Sequence, residues 1–215
     1  MRAFFLLITL ALTLSFSAAG CHALHGPANV QHPRPVGHTP EYTPVYIEKA
    51  FTQSEHDAIH RALAGWNYVL NGYQVYSVAS DDFDYDLDVI EQISNTDQGL
   101  VFVRASIAMA DSLDLSDGIL VEKENNGVLA WVPGLGEQVV FIVTDRIGTR
   151  DLTAITEHEI GHTLGIPHLP IKGTMLYPYY TFGASCIDRA TVQALASLSR
   201  GRFDWHFMNW CELPL

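Results

Sequence analysis

One run of residues constrains this chain more than any other: His158-Glu159-Ile160-Gly161-His162-Thr163-Leu164-Gly165-Ile166-Pro167-His168. On a helix, positions i and i+4 project from the same face, so His158 and His162 reach a common ion. Glu159 follows the first of them and faces a water held by that ion. Gly165 takes the positive backbone dihedral that turns the chain sharply out of the helix. His168, just past the turn, then folds back as a third ligand. Three neutral imidazoles leave one or more positions of a zinc ion open, as catalysis requires. With the Gly and the third His fixed at their offsets, such a run arises by chance in about one in ten thousand chains of this composition.

Around this run the chain has 215 residues, enough for one domain with a real core, and 48% of them are hydrophobic. Lys and Arg number 12 against 24 for Asp and Glu, a formal charge of -12. A chain this acidic makes a poor phosphate binder, so nucleic acid is not an expected partner. Residues 1–20 have the plan of a bacterial secretion signal: Arg2, an apolar run from Ala3 to Phe16, then Ser17-Ala18-Ala19-Gly20. The apolar run is too short for an ordinary membrane span. Ala18-Ala19-Gly20-Cys21 resembles a bacterial lipobox, with Ala18 where Leu is usual. Lipidation of Cys21 would anchor the chain to the cell envelope and leave Cys186 and Cys211 as an even pair, free to form a disulfide. The alternative is cleavage after Ala19, with Cys21 a spare thiol on a secreted chain. Residues 21–44, rich in Pro and His, read as a flexible tether, and the domain is expected over 45–215.

Within that domain Val45 to Lys49 alternates like a strand. Thr52 with Glu55 forms a capping-box pattern that opens a helix with an apolar stripe of Ile59, Leu63, Trp66 and Leu70, ended by Asn71-Gly72. Strand-like runs follow at Gln74 to Ala79, Leu100 to Ala105, Val128 to Val132 and Gln138 to Thr144. A second helix is expected from Asp151 to Leu164, and a third from Asp188 to Arg200 with Gly201 as its stop.

His158 to His168 matches the extended zinc signature of the metzincin metalloproteases, and Met175 in Gly173-Thr174-Met175-Leu176-Tyr177-Pro178 resembles their methionine turn. The order of elements, and Trp66-Asn67 in the first helix, is most similar to the matrixin-like bacterial members, over about Val45 to Arg200. Met175-x-Tyr177 is closer to the astacin and serralysin pattern, and Leu169 replaces the polar residue that often follows the third His. The chain has neither the Pro-Arg-Cys-Gly segment that keeps matrixin precursors latent nor the His-rich loop that holds their second zinc.

The resemblance implies an α+β zincin domain. Its twisted, mostly parallel sheet has about five strands with an antiparallel edge strand, plus three helices. It implies a zinc endopeptidase acting as a monomer on protein or peptide in extended form. One zinc is held by His158, His162 and His168, and Glu159 is the general base toward a zinc-bound water. Tyr177 is either an oxyanion stabiliser or a pocket wall. An exposed sheet edge near Gly127 to Trp131 would receive the peptide, so Gly127, Val128, Leu129 and Ala130 join Pro178 and Tyr180 as substrate-pocket residues. The alternatives are a non-catalytic zinc-binding lipoprotein and a cell-wall peptide amidase; membrane contact is expected only through the lipid anchor.

Three other groups read more simply. His56 and His60 are also four apart, but they flank an apolar stripe with no third ligand nearby in sequence, and a solvated or partly packed face is expected. Asp81-Asp82-Phe83-Asp84-Tyr85-Asp86-Leu87-Asp88 offers oxygen ligands to Ca2+ but lacks the Gly and Glu of an EF-hand loop, so a solvated acidic loop is expected. Trp205, His206 and Trp210 read as packing residues.

Overall fold

The computed structural model describes residues 28–84, 86, 99–113, 120–124, 127–180 and 186–212, with backbone alone for 120–124. The secretion signal, Cys21 and its expected lipidation, and part of the acidic loop (Tyr85, Leu87, Asp88) lie outside the described residues.

Among the described residues, eight strands and five α-helices follow in chain order: β1 (Ala28–Val30), β2 (Glu41–Glu48), α1 (Gln53–Leu70), β3 (Gln74–Phe83), β4 (Leu100–Arg104), α2 (Ile107–Asp111), β5 (Leu120–Glu124), β6 (Gly127–Val132), β7 (Val139–Ile142), α3 (Thr144–Ile147), α4 (Leu152–Thr163), α5 (Arg189–Leu198) and β8 (Trp210–Glu212). α1 starts as its sequence predicts: the Thr52 amide donates to Glu55 Oε2 at 2.6 Å. It ends at Asn71 and Gly72, both with positive φ. The three long helices match expectation within about two residues.

The main sheet has the order β3-β2-β4-β7-β6-β5. β2 is parallel to β3 and β4, and β4 to β7, whereas β6 runs antiparallel to β7. That is the expected five-strand plan. β5 adds a sixth strand outside β6, pairing Glu124 with Gly127 and Leu120 with Val132. The expected exposed edge at Gly127 to Trp131 is therefore corrected: a hairpin partner already covers it.

Side chains alternate between the two faces of the sheet with the period of two that strands impose. Phe102, Leu129, Val140 and Ile142 join Trp66, Leu70, Ile155 and Ile160 in a core under α1 and α4. Val101, Val103, Val128, Trp131 and Phe141 form a second cluster on the other face, closed by Ala110 of α2. Burial on both faces explains the near-continuous apolar runs of the central strands.

The tether expectation also needs correction over its described part. β1 pairs antiparallel with β8, the His32 amide donates to Asn209 Oδ1 at 2.7 Å, and Asn71 donates to the His32 carbonyl at 3.1 Å. The segment is held by backbone groups meeting asparagine side chains, which leaves no apolar period to read. β2 likewise begins at Glu41 rather than Val45. Its first residues, Pro44 included, have only β3 alongside, because β4 joins at Val45. Proline tolerates such an edge position.

Candidate metal centre

α4 is buried almost all round. His158 is 1% exposed, and Glu159 and His162 are 0% exposed. A helix with no solvent face shows little amphipathic signal, and its position is fixed by specific contacts instead. Trp66 Nε1 donates to the Glu157 carbonyl at 2.8 Å, tying α1 to α4. Gly65 lets the two helices approach, because a Cβ there would overlap the Glu157 carboxylate. At the N-terminus, Asp151 Oδ1 accepts from the Thr153 amide at 2.9 Å, and the Asp151 amide donates to the Tyr180 hydroxyl at 2.8 Å. At the other end Gly165 takes a φ of 85° and its amide donates to the His162 carbonyl at 2.9 Å, which turns the chain back toward the helix.

The turn brings all three predicted ligands together. His158 Nδ1 lies 2.8 Å from the Met175 carbonyl and His162 Nδ1 2.7 Å from the Ile166 carbonyl. A carbonyl only accepts, so in both rings Nδ1 carries the proton and Nε2 offers a lone pair. The two Nε2 atoms face each other at 3.0 Å. His168 Nε2 is buried with no hydrogen-bond partner among the described residues, and one ligand atom of each ring lies within 4.8 Å of the other two. Lone pairs held this close repel one another unless a cation sits between them. A tetrahedral zinc ion places its nitrogen ligands about 3.3 Å apart, so the donor set fits zinc.

The local electrostatics favour the binding form. Burial, with the neighbouring imidazoles adding to it, holds His158 well below the ordinary histidine value. Burial also lowers His162 to about 4, against the opposing pull of its bond to Ile166, and lowers His168. All three rings are neutral near pH 7, the state a cation requires.

The matrixin family profile matches residues 43–195, a span that contains the main sheet apart from the first two residues of β2, with α1 and all three histidines. The chain belongs to the matrixin family. A stretch of 75 residues is 36% identical to Matrix metallopeptidase-21 of Danio rerio; it covers 33% of this chain and 12% of that relative.

This matrixin supports the first predicted ligand, His158, through the loop after His168. The Leu169 amide donates to the Leu176 carbonyl at 2.8 Å, fastening the chain beside His168, the third predicted ligand, to the turn around Met175. Leu176, fully buried, packs on Gly161, where a Cβ would come within 2.9 Å of it. Asp188 Oδ2 accepts from the Met175 amide at 2.7 Å, while its Oδ1 caps α5 through the Thr191 amide at 3.0 Å. The sequence marks Asp188 only as the start of the third expected helix. Its second role joins residues 13 apart, and no local pattern marks that. Cys186 and Cys211 are disulfide-bonded with Cα atoms 5.7 Å apart, and the Cys211 amide donates to the Ile187 carbonyl beside Asp188.

Other predicted site residues sit differently. Tyr177 is half-buried, its ring 5.9 Å from that of Tyr179. Pro178 is half-buried, and Tyr180 braces α4 through its hydroxyl. The side chains of Val128, Leu129 and Ala130 are buried within the sheet's two cores rather than facing an open pocket. Gly127, with a φ of 109°, leaves room for Arg146, which donates to the Val128 carbonyl at 3.2 Å and pairs with Asp111. Described carboxylates of the acidic loop turn to separate partners, Asp84 to Lys49, Asp81 to His60 and Asp82 to Ser80, and do not converge. Trp205 and Trp210 pack as expected, with the Arg189 guanidinium over both rings, while His206 is exposed and bonded to Asp204.

Proposed function

We propose that this matrixin is an exported, zinc-dependent endopeptidase. The observation that carries the reading is the convergence of three neutral imidazoles, two buried and one half-buried, whose Nε2 atoms face one another and no other partner among the described residues, with Glu159 next to the first of them on α4. Bound there, zinc supplies a Lewis acid and brings the pKa of water toward neutrality. Glu159 takes the proton of the attacking water and hands it to the leaving amine, working from an interior position that excludes bulk solvent. Tyr177 donates its hydroxyl to the developing oxyanion. The carbonyls of Met175 and Ile166 keep His158 and His162 in the required tautomer throughout.

The peptide binds extended and pairs with β6, which means displacing β5 from that edge. The walls of its site are backbone at Gly127 to Ala130 and side chains at Pro178 and Tyr177. Export, and envelope anchoring through Cys21, rest on the residue pattern at 1–21 and on the disulfide, which an oxidising compartment sustains.

The test measures zinc content and casein cleavage on residues 22–215, wild type beside Glu159→Gln. One zinc in both proteins, with cleavage by the wild type alone, supports the reading. Full cleavage by Glu159→Gln removes the assigned base. Zinc in both with cleavage in neither, by casein or by a mixed peptide library, replaces the enzyme with a zinc-binding protein.

A further inference from the structure

α1 carries a second histidine pair, and the fold gives it the partner that its own sequence neighbourhood lacks. His56, His60 and Asn67 fall on one stripe of the helix, since four and eleven residues are close to whole numbers of turns. That stripe faces β3: Asn67 Nδ2 donates to the Tyr76 carbonyl at 2.9 Å, and the Tyr76 amide donates back to Asn67 Oδ1 at 2.7 Å. From this point helix and strand run in opposite directions, so the far end of β3 returns past the start of α1. Asp81 arrives beside His60, Oδ1 to Nε2 at 3.1 Å.

One ligand atom each from His56, His60 and Asp81 lies within 4.8 Å of the other two. A tetrahedral zinc with bonds of about 2.0–2.1 Å sets its ligands about 3.3 Å apart. The His60–Asp81 separation already has that length, and small rotamer changes close the rest. His56 Nδ1 is buried without a hydrogen-bond partner among the described residues, while the ring is set edge-on against Phe51 at 6.0 Å. The nearby cation Lys49 is paired with Asp84 and does not compete for Asp81. Two imidazoles and one carboxylate suit a borderline divalent ion, with water completing the shell.

We propose that His56, His60 and Asp81 form a second metal site for zinc or a similar divalent transition ion, separate from the site on α4. Its ion fastens α1 to β3, the outer strand, and so braces the helix whose Trp66 holds α4 in place. Nothing in this assignment depends on whether the chain cleaves peptides.

The experiment counts zinc on the full chain after chelator stripping, reloading with zinc sulfate and gel filtration. Wild type should hold two equivalents; His60→Ala and Asp81→Ala should hold one, with unchanged circular dichroism. Both substituted side chains are exposed, so folding is not at stake. The histidines at 22, 25, 32 and 38 are common to all three proteins and cancel in the difference. Equal counts in all three overturn the site. A His158→Ala/His162→Ala protein gives the complementary reading: it should keep one equivalent that adding His60→Ala removes, and loss of all zinc in the double variant alone would also overturn it.

Discussion

The backbone carbonyl of Met175 accepts the Nδ1 proton of His158 at 2.8 Å, and the Met175 amide is itself held by Asp188 at 2.7 Å. One residue thus passes the position of a helix cap to a candidate metal ligand. Partners that orient a ligating histidine typically matter by about 10–100-fold in metal affinity.

Asp188→Asn separates the two roles of that side chain. Asparagine keeps one oxygen to cap α5 through Thr191 but turns an NH2 group toward the Met175 amide, so donor meets donor. Zinc affinity, read by competition with a chromophoric chelator, should fall about 10-fold or more while helix content is kept. Unchanged affinity would show that the turn is held by other contacts.

Gly161→Ala tests the packing between α4 and the loop above it. Alanine in an open helix position would gain about 1 kcal/mol over glycine. Here its Cβ meets Leu176 at 2.9 Å, and Leu176 is fully buried. Overpacking of about 1–3 kcal/mol outweighs the propensity gain, so urea unfolding should show a net loss of up to about 2 kcal/mol. A more stable variant would mean that Leu176 has room to move.

Acid should weaken the metal-free chain over a defined window. The unfolded imidazole titrates near 6.5, whereas burial lowers His162 to about 4 and holds His158 well below its ordinary value. The unfolded state therefore binds more protons below about pH 6.5. Stability is full above that pH and falls as pH drops toward 4, by on the order of 3 kcal/mol from His162 alone. Melting of chelator-stripped protein at pH 7, 6 and 5 checks this; a flat profile would show that the rings are not buried without metal. Zinc retention should decline over the same interval.

Peptide binding should loosen β5. In the Glu159→Gln protein, amide hydrogen exchange across Leu120–Glu124 should speed up when an uncleaved peptide substrate is added, because the peptide takes over the pairing with β6. Slower exchange there would place the peptide outside β5 instead.

The metal centre was legible because its ligands lie within one helix and the turn after it, where spacing alone fixes geometry. His158, His162 and His168 converge as read, and Gly165 makes the turn. The α1 stripe, the capping by Thr52 and Glu55, and the individual central strands were likewise carried by local patterns, whereas the parallel arrangement of those strands followed from the family resemblance. What stayed hidden joins residues far apart in sequence. The pairing of Asn71 with the chain at His32, of Asp188 with Met175 and of Asp81 with His60 each depends on chain paths that no window of residues contains. β8 was missed because three residues are too few to show a pattern of their own, and β5 because its sequence Leu120-Val121-Glu122-Lys123-Glu124 is mostly charged.

Cys211 is bonded to Cys186, its amide reaches the Ile187 carbonyl, and the next residue, Asp188, holds Met175 against His158. Sulfur oxidation and ligand alignment are therefore links of one chain only a few residues long. A polypeptide with both cysteines reduced would possess every histidine yet lack the covalent tie beside Asp188. Closing the disulfide therefore restrains the same short segment that orients His158.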